Sequence, residues 1–194
     1  MLTCEKAMGL LRKAGVLQEG HFLLASGRHS DIYLQCAQIF RDPQIGEKLC
    51  AGLAAHFDAE KIDLVIGPAI GALQMAYEVS RQLRCENFFT EQVEGRMTLR
   101  RGFKIIPGSR VLIVESVVTT GASVREVIEL VKAQDGIPAG VGVIVDRSGE
   151  RVRFPVPMKA LLSLSAQSWN AAGCPLCKTG MPLEKPGGVS SFGR

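Results

Sequence analysis

The stretch Arg110–Val127, RVLIVESVVTTGASVREV, predicts a strand, a loop and the start of a helix. Val111–Val114 is an all-apolar run of the kind that fills a buried parallel strand. Glu115–Val118 then carries the chain off the end of that strand, and Thr119–Ser123 forms a small loop rich in hydroxyl groups. From Val124 onward, apolar residues recur at helical spacing.

This loop has the composition of an anion site. Free N–H groups of the loop and first helical turn point outward, and the helix dipole favours negative charge there. Gly121 allows a close approach of the ligand or a positive φ. We therefore predict a site for a phosphate monoester, with the Glu115 carboxylate suited instead to a neighbouring diol or a metal ion. The alternative is a buried strand and a helix with a Thr or Ser N-cap, which many α/β proteins have.

Length and composition predict one compact domain with a small appendage. The chain has 194 residues, a hydrophobic fraction of 46% and a net charge of +4. This mild charge favours anionic small molecules as ligands and is not typical of a nucleic-acid-binding protein. No apolar run reaches the length of about 18 residues that a membrane span needs. The N-terminus carries charges within its apolar pattern, so we predict no signal peptide and a cytoplasmic location.

A second strand–loop–helix unit precedes the first. The strand is predicted at Ile62–Ile66, the loop at Gly67–Gly71 and the helix at about 72–84. Taken alone, this loop is either an anion site or a turn with two structural glycines. Ligands of open α/β sheets bind at the carboxyl ends of the strands, where both loops fall. With further strands at 140–145 and 158–164, the alternation predicts a doubly wound parallel sheet of about five strands flanked by helices.

Four segments complete the predicted organisation. Residues 3–14 read as an amphipathic helix that Gly15 would end, and 20–37 as two short strands around a turn. Asp42–Pro43 would open a further helix, in which apolar residues fall at four-residue steps: Ile45, Leu49, Leu53 and Phe57. Residues 86–105 predict a strand, a loop and a second strand that carries four cations: Arg96, Arg100, Arg101 and Lys104. The four cations belong to the segment as a whole, which is either a solvated hairpin or a mobile basic flap over a polyphosphate.

The six cysteines stand at positions 4, 36, 50, 85, 174 and 177. The first four lie in apolar or helical context and are predicted to be buried free thiols. Cys174 and Cys177 form a CxxC pair. A four-ligand zinc site needs a second CxxC or a His pair, but all the histidines lie far upstream, at positions 21, 29 and 56. We therefore predict a reduced tight turn at this pair rather than zinc, with a redox pair as the alternative.

Four stretches, in this order, resemble the orotate phosphoribosyltransferases, which are type I phosphoribosyltransferases. GHFLLASGRHSDIYLQC at 20–36 resembles the hood motif, and IGPAIGALQMAYEV at 66–79 the diphosphate-binding loop. FFTEQVEGRMTLRRGF at 88–103 resembles the flap of one bacterial and archaeal branch, which also often ends in Cys–Pro–Leu–Cys and Lys–Pro–Gly, as this chain does at 174–187. VLIVESVVTTGASVREV at 111–127 resembles the phosphoribosyl-diphosphate loop.

The resemblance covers nearly the full chain and implies a single domain of the type I phosphoribosyltransferase fold. The hood would comprise residues from about 1–40 and the C-terminal segment, and the core would comprise about 41–165. The implied activity is a Mg2+-dependent pentosyl transfer from phosphoribosyl diphosphate to orotate, giving orotidine 5′-monophosphate and diphosphate in pyrimidine (UMP) biosynthesis. A homodimer is implied, and neither nucleic acid nor membrane is expected as a partner. The alternatives are a phosphoribosyltransferase for a purine or another base, and a non-catalytic sensor of phosphoribosyl ligands.

The resemblance also assigns roles to individual residues. Those for phosphoribosyl diphosphate are Glu115, Ser116, Val117, Val118, Thr119, Thr120, Gly121, Ala122 and Ser123, with Ala69, Ile70 and Gly71 giving backbone donors to the diphosphate. Of these, Thr119–Ser123 would surround the 5′-phosphate, and Glu115 would hold ribose hydroxyls. The loop at Ala69–Gly71 often has a cis peptide in the family.

Other side chains would contact orotate and the leaving diphosphate. Those implied to face orotate are Thr119, Tyr33, Ser26, Arg28 and Arg125, of which Arg125 would pair with the carboxylate. The catalytic cations of the flap would be Arg96, Arg100 and Arg101. Mg2+ would bind through the diphosphate, with Glu115 as a candidate ligand.

The chain departs from the family pattern at three positions. Ser116 stands where the family has a second acid, and a hydroxyl can replace a hydrogen bond but not a charge. Ala25 replaces the usual Lys of the hood, and Glu91 stands where an Arg is common. Ser116 is the feature that supports the sensor alternative, since it predicts weak or altered catalysis.

Overall fold

The computed structural model of the protein describes residues 2–24, 26–149, 151–164 and 167–186. The α-helices are α1 Cys4–Lys13, α2 Pro43–Ala54, α3 Leu73–Leu83, α4 Ala122–Ala133 and α5 Pro175–Lys178. The strands are β1 Leu17–Leu23, β2 His29–Leu34, β3 Leu64–Pro68, β4 Glu86–Val93, β5 Arg96–Leu99, β6 Arg110–Val118, β7 Ile137–Asp146, β8 Met158–Ser163 and β9 Ser168–Trp169. Of these helices, none is both long and apolar enough to cross a membrane.

The main sheet has six strands in the order β5-β4-β3-β6-β7-β8. Five of them run parallel to one another: β4, β3, β6, β7 and β8. The edge strand β5 is antiparallel to β4. The predicted parallel sheet of about five strands is therefore confirmed, and the basic hairpin adds the sixth. Its β3–β6 centre places the ends of two strand–loop–helix units side by side.

Buried apolar residues cover both faces of this sheet. On β6, Leu112 and Val114 face a core shared with α1, α2 and α3, while Val111 and Ile113 face the opposite core, shared with α4. The alternation explains why the strand reads as a continuous apolar run, since a parallel strand buried on both sides has no polar face. Helices therefore cover both faces, as the doubly wound arrangement requires.

The predicted helix ends carry the expected caps. The Asp42 side chain accepts the Gln44 N–H at 3.0 Å, and Pro43 is the first residue of α2. Gly15, with φ 70°, follows the end of α1. Both predicted helix boundaries are confirmed.

The central strand is longer than its apolar run predicts. The segment Glu115–Val118, predicted to leave the sheet, continues β6, and β7 likewise extends from Ile137 to Asp146. Ala122 and Ser123, predicted in the loop, form the first turn of α4. The prediction failed at these boundaries because a polar residue at a strand's end can remain in register with a paired neighbour: Glu115 pairs with Val143, and the strand continues to Val118, which pairs with Asp146.

A second, three-stranded sheet has the order β1-β2-β9 and is called the small sheet here. Its β1–β2 hairpin confirms the two short strands predicted at 20–37. The C-terminal segment adds β9 to β2 and a bridge between Phe22 and Glu184. The last described residues are thus paired with the first strands of the chain.

The first four cysteines were predicted to be buried free thiols, and the structure gives the burial of each. Cys36 and Cys50 are buried, and burial raises the pKa of each thiol to about 12. Cys85 is half-buried, whereas Cys4 is exposed, so the prediction of a buried thiol is wrong for Cys4. Cys4 is the first residue of α1, and its thiol donates to the Leu161 carbonyl at 3.5 Å, but the open end of the helix leaves it exposed.

Candidate active site

Two loops meet at the carboxyl edge of the sheet, one after β3 and one after β6. The Ser116 hydroxyl donates a hydrogen bond to the Gly71 carbonyl at 2.9 Å. A Cβ atom built on Gly71 would lie 3.9 Å from Oε1 of Glu115. The residues predicted for the ribose and for the diphosphate are therefore neighbours in space, although 45 residues separate Ser116 from Gly71 in the chain.

The loop after β6 forms a small cavity of about 60 Å³, lined by Glu115 and residues 117–124. Thr119 and Thr120 are exposed at its rim. Gly121 precedes α4 with φ 73°, so the first helical turn points its N–H groups past the loop. Backbone donors, hydroxyls and a positive helix end thus converge on one cavity at the place where an anion site is predicted.

Gly121 is also closely packed from outside. A Cβ atom at this position would lie 2.8 Å from Cγ1 of Val152 and 2.9 Å from Cζ of Phe154. The segment after β7 therefore fixes the back of the loop between β6 and α4, residues 119–121, which is called the phosphate loop here. Only glycine satisfies both the positive φ and this contact.

Glu115 is a half-buried carboxyl group at the cavity. Burial raises its pKa from the usual 4.5 to about 7, and the hydrogen bond that Oε1 accepts from the Ser116 N–H at 2.9 Å acts in the opposite direction. Near neutral pH this group is thus divided between its charged and neutral forms. A ligand that donates hydrogen bonds to the carboxylate would favour the charged form.

Ser116 is buried, and its side chain is directed at the neighbouring loop rather than into the cavity. A hydroxyl can donate to the Gly71 carbonyl, which an ionised carboxylate cannot do. The residue that the sequence marks as a lost acid therefore connects the two loops.

The loop after β3 contains a cis peptide bond between Ala69 and Ile70, as the resemblance implies. The Ala69 N–H donates to the Thr90 carbonyl at 2.7 Å, which ties this loop to β4. Ile70 is 89% exposed, so the loop stands at the surface of the edge. Its remaining backbone donors are accessible to a ligand.

The basic hairpin β4–β5 lies beside these loops, and its three predicted arginines differ in their contacts. Arg101 donates to Oε1 of Glu91 at 2.9 Å and lies 5.8 Å from the centre of the Phe89 ring. Arg96 and Arg100 are exposed. Arg101 must therefore leave Glu91 before it can contact a ligand, whereas the side chains of Arg96 and Arg100 are not paired with an acid among the described residues.

Arg125 lies on the first turn of α4, as predicted. Its Nη1 donates to the Thr120 carbonyl at 2.7 Å, and its guanidinium lies 5.4 Å from the centre of the Phe154 ring. Arg125 and Arg96 line one open groove between α4 and the hairpin. The structure thus brings two predicted cations together, on the hairpin side of the phosphate loop.

Arg147 was missed by the sequence-based assignment. It follows β7 at the same edge, and its N–H donates to the Val118 carbonyl at 2.8 Å. Burial lowers the pKa of its half-buried guanidinium, while the nearby Cys36 thiol and Asp31 carboxylate act in the opposite direction. Among the described residues, none accepts a hydrogen bond from this guanidinium, and Oδ1 of Asp31 is likewise buried without a partner. The feature of the sequence that could have identified Arg147 is the Asp146–Arg147 pair at the end of a buried strand.

The predicted base-facing residues of the small sheet have different environments. Tyr33 is half-buried on β2, with its ring centre 5.7 Å from that of Phe22. Arg28 donates to the Ser168 hydroxyl and to Oδ1 of Asn170, both at 2.9 Å, and also to the Ser168 carbonyl. Ser26 is exposed in the turn, and Ala25 lies outside the described residues. Arg28 therefore holds the C-terminal segment, and its contact with a base stays a prediction.

Comparison with known proteins identifies the class to which this fold and site belong. The family model described as phosphoribosyl transferase domain matches residues 37–176. The chain therefore belongs to the phosphoribosyl transferase family. This confirms the fold that the four motifs imply.

The sequence relatives narrow the family to one activity. An orotate phosphoribosyltransferase of Thermoanaerobacter sp. (strain X514) is 52% identical over 94% of this chain and 96% of its own length. That of Caldicellulosiruptor bescii is 50% identical over 92% of this chain and 94% of its own length. The crystal structure of orotate phosphoribosyltransferase from Aeropyrum pernix is 26% identical, with a TM-score of 0.65, covering 80% of this chain and 92% of that one. The resemblance to this group is confirmed.

Proposed function

We propose that this chain is a pentosyltransferase that joins orotate to phosphoribosyl diphosphate and releases orotidine 5′-monophosphate and diphosphate. The observation that carries this proposal is the shared edge at which Glu115, the phosphate loop and the Ala69–Gly71 loop meet. One cavity there suits a 5′-phosphate, one carboxylate a ribose diol, and one exposed backbone loop a diphosphate. The approximately 50% identical relatives support orotate as the base.

The protein's part in such a reaction is to bind, orient and neutralise. Diphosphate leaves as the base attacks C1 of the ribose, so negative charge develops on the leaving group. We assign its neutralisation to Arg96, Arg100 and Arg101, of which Arg101 would exchange Glu91 for the ligand. Closure of the hairpin and the small sheet over the substrates would exclude water.

Mg2+ fits the donor set of this edge. Of the described residues lining the phosphate cavity, Glu115 is the acidic one, and hard divalent cations prefer oxygen ligands. Because the Ser116 hydroxyl is engaged with Gly71, we propose that Glu115 and the ligand's own oxygens hold the ion. When bound, Mg2+ would neutralise charge on the diphosphate.

The carboxylate of orotate requires a cation. The resemblance assigns this role to Arg125, and we add Arg147, whose main-chain N–H bonds to the Val118 carbonyl just before the phosphate loop and whose guanidinium interacts with the charge of Asp31 on β2. We propose that the small sheet is the hood over the base, with Tyr33 and the turn around Ser26 facing it.

A homodimer and a cytoplasmic location also belong to this proposal. Ile70, in the loop before α3, and Tyr77, within α3, are exposed to 89% and 61%, and a second copy of the chain could cover such apolar side chains. The six cysteines are unpaired, as is usual for proteins of a reducing compartment.

The function is tested by following orotate consumption by absorbance with phosphoribosyl diphosphate and Mg2+, for the natural chain and for Ser116→Asp. We expect turnover by the natural chain and a lower kcat/KM, by about tenfold, in Ser116→Asp, since a buried carboxylate would face the Gly71 carbonyl. Ser116→Ala, which removes the hydrogen bond without adding charge, is the matched control. Higher activity in Ser116→Asp would show that Ser116 disables an acid site. Silence of both chains would contradict the proposed reaction.

Binding of phosphoribosyl diphosphate is expected to strengthen as the pH rises through about 7, where Glu115 ionises, because a ribose diol needs the charged form as acceptor. Binding at that pH should release a proton, which calorimetry in two buffers of different ionisation enthalpy would measure. The ligand's own phosphates also titrate, so Glu115→Gln provides the reference. An identical pH profile for Glu115→Gln would exclude Glu115 from the site.

The same group has an opposite effect on stability. Its pKa is higher in the folded chain than in the unfolded one, so its contribution to stability is fully present below about pH 4.5 and is lost as the pH rises through about 7. Glu115→Gln should remove this part of the pH dependence of the free energy of unfolding.

A further inference from the structure

Four metal-ligating side chains converge in the small sheet, away from the edge described above. His21 and His29 lie on β1 and β2, and Cys174 and Cys177 flank the start of α5. One ligand atom from each lies within 4.8 Å of all the others. The expectation that the histidines are too far upstream for zinc is therefore wrong: the chain returns after about 140 residues to pair β9 with β2, which brings the CxxC turn onto both of them.

The separations of these atoms approach those of a tetrahedral site. His21 Nε2 lies 2.9 Å from His29 Nδ1, 3.5 Å from Cys174 Sγ and 3.7 Å from Cys177 Sγ. His29 Nδ1 lies 3.3 Å from Cys177 Sγ. With Zn–N of about 2.0 Å and Zn–S of about 2.3 Å, the edges of a tetrahedron are about 3.3 Å for N–N and about 3.5 Å for N–S. Small shifts would suffice to place an ion at the centre.

The protonation of His21 points the same way. Its Nδ1 lies 2.8 Å from the Met181 carbonyl, which can only accept, so Nδ1 carries the proton. In the neutral ring, Nε2 then presents a lone pair toward His29 and both sulfur atoms. A hydrogen bond between the two rings would explain the 2.9 Å contact, but it would not explain why both sulfur atoms also lie beside His21 Nε2. A carbonyl that fixes the tautomer of a histidine is the usual outer partner of a metal ligand.

Burial and charge favour a closed zinc site. His21, His29 and Cys174 are buried, with exposed fractions of 2%, 5% and 0%, and Cys177 is exposed. Two thiolates would neutralise a divalent cation, so the complex could be buried without net charge, and binding would release the two thiol protons. A nitrogen and sulfur set of four protein ligands is characteristic of structural zinc, since catalytic zinc keeps an open position.

We propose that His21, His29, Cys174 and Cys177 bind a structural Zn2+ ion that fastens the C-terminal segment to the first two strands. The segment is already attached on both sides of the cluster. Arg28 holds Ser168 and Asn170, and Glu184 exchanges backbone hydrogen bonds with His21 and Leu23. The ion would close this small sheet, whose few buried apolar residues supply little core of their own.

The proposal is tested first on metal content. Protein produced without an affinity tag and measured by elemental analysis should hold about one zinc per chain, and Cys177→Ser should hold less than about one tenth of that. Cys4→Ser is the matched control, because Cys4 is exposed and lies outside the cluster, and it should retain the ion. Equal zinc in Cys177→Ser and Cys4→Ser would overturn the assignment.

The second measurement uses the unmodified chain and does not depend on how a variant folds. After removal of zinc by a chelator, Co2+ should restore binding with the visible bands of a tetrahedral site and the near-ultraviolet thiolate-to-cobalt band. Hydrogen exchange should accelerate in residues 17–34 and 167–184 of the metal-free protein, and not in β6. Absence of a cobalt spectrum, or a Cys174–Cys177 disulfide as the sole state of the fresh protein, would overturn the proposal. Neither readout requires the proposed enzymatic activity.

Discussion

Arg147→Ala is expected to raise the KM for orotate by about 100-fold, equivalent to about 2.7 kcal/mol, while binding of phosphoribosyl diphosphate changes little. The half-buried guanidinium has no acceptor among the described residues, and its charge interacts with that of the Asp31 carboxylate. Losing it would leave a desolvated carboxylate of the base without a cation. Steady-state kinetics and calorimetry with each ligand would measure the effect. Arg147→Lys keeps the charge but not the planar guanidinium, so its KM for orotate should lie between those of the unsubstituted chain and Arg147→Ala.

Arg125→Ala is the comparison that decides between the two cations. The resemblance predicts loss of orotate binding with phosphoribosyl diphosphate binding largely intact. The bond from Arg125 to the Thr120 carbonyl, however, also supports the phosphate loop. Equal loss of both ligands would refute the role assigned to Arg125 and leave it to Arg147. An orotate-selective loss in Arg125→Ala, with Arg147→Ala unaffected, would reverse the assignment.

Gly121→Ala is expected to weaken phosphoribosyl diphosphate binding by about 100-fold or more and to lower the free energy of unfolding by about 2–4 kcal/mol. Two costs add at this position: the φ of 73°, and a Cβ within 2.8 Å of Val152 and 2.9 Å of Phe154. Relief of either requires the loop to move, and with it the N–H groups of the first turn of α4. Calorimetry with the ligand and urea unfolding would measure the two effects separately.

Gly108→Ala is the matched control for that experiment. Gly108 has φ 80°, but a Cβ there would meet no atom within 4 Å, and the residue lies in the turn before β6, away from the ligand edge. The free energy of unfolding of Gly108→Ala should fall by about 1 kcal/mol from backbone strain alone, and its binding of phosphoribosyl diphosphate should be unchanged. If both variants bind alike, contact with the 152–154 segment does not fix the phosphate loop.

Much of the core was predictable because its signals are local. The apolar run Val111–Val114, the four-residue steps of α2 and its Asp42–Pro43 cap act through neighbours in sequence. Strand ends were less predictable, since Glu115–Val118 stays in the sheet only because β7 offers it partners. A pairing of this kind depends on residues far along the chain.

The candidate site also has parts that were predictable from local sequence and parts that were not. The phosphate loop was predictable from one continuous motif, whereas the environment of Arg147 depends on Asp31 and Cys36, which precede it by more than a hundred residues. Ser116 shows the limit of a motif comparison. The sequence identifies a missing carboxylate, but the hydrogen bond to Gly71 that replaces it arises from the side-by-side placement of β3 and β6.

The pairing of β9 with β2 has a consequence for the order in which the protein is made. Arg28 and Ser168 are separated by 140 residues, so the first hairpin leaves the ribosome long before its third strand exists. An isolated two-stranded hairpin is at best marginally stable in water. A nascent chain that stops before Ser168 has already produced all six strands of the main sheet, yet its β1–β2 hairpin lacks a neighbour on one side. The half of the site attributed to the base is thus completed only after residues 168–169 have been translated.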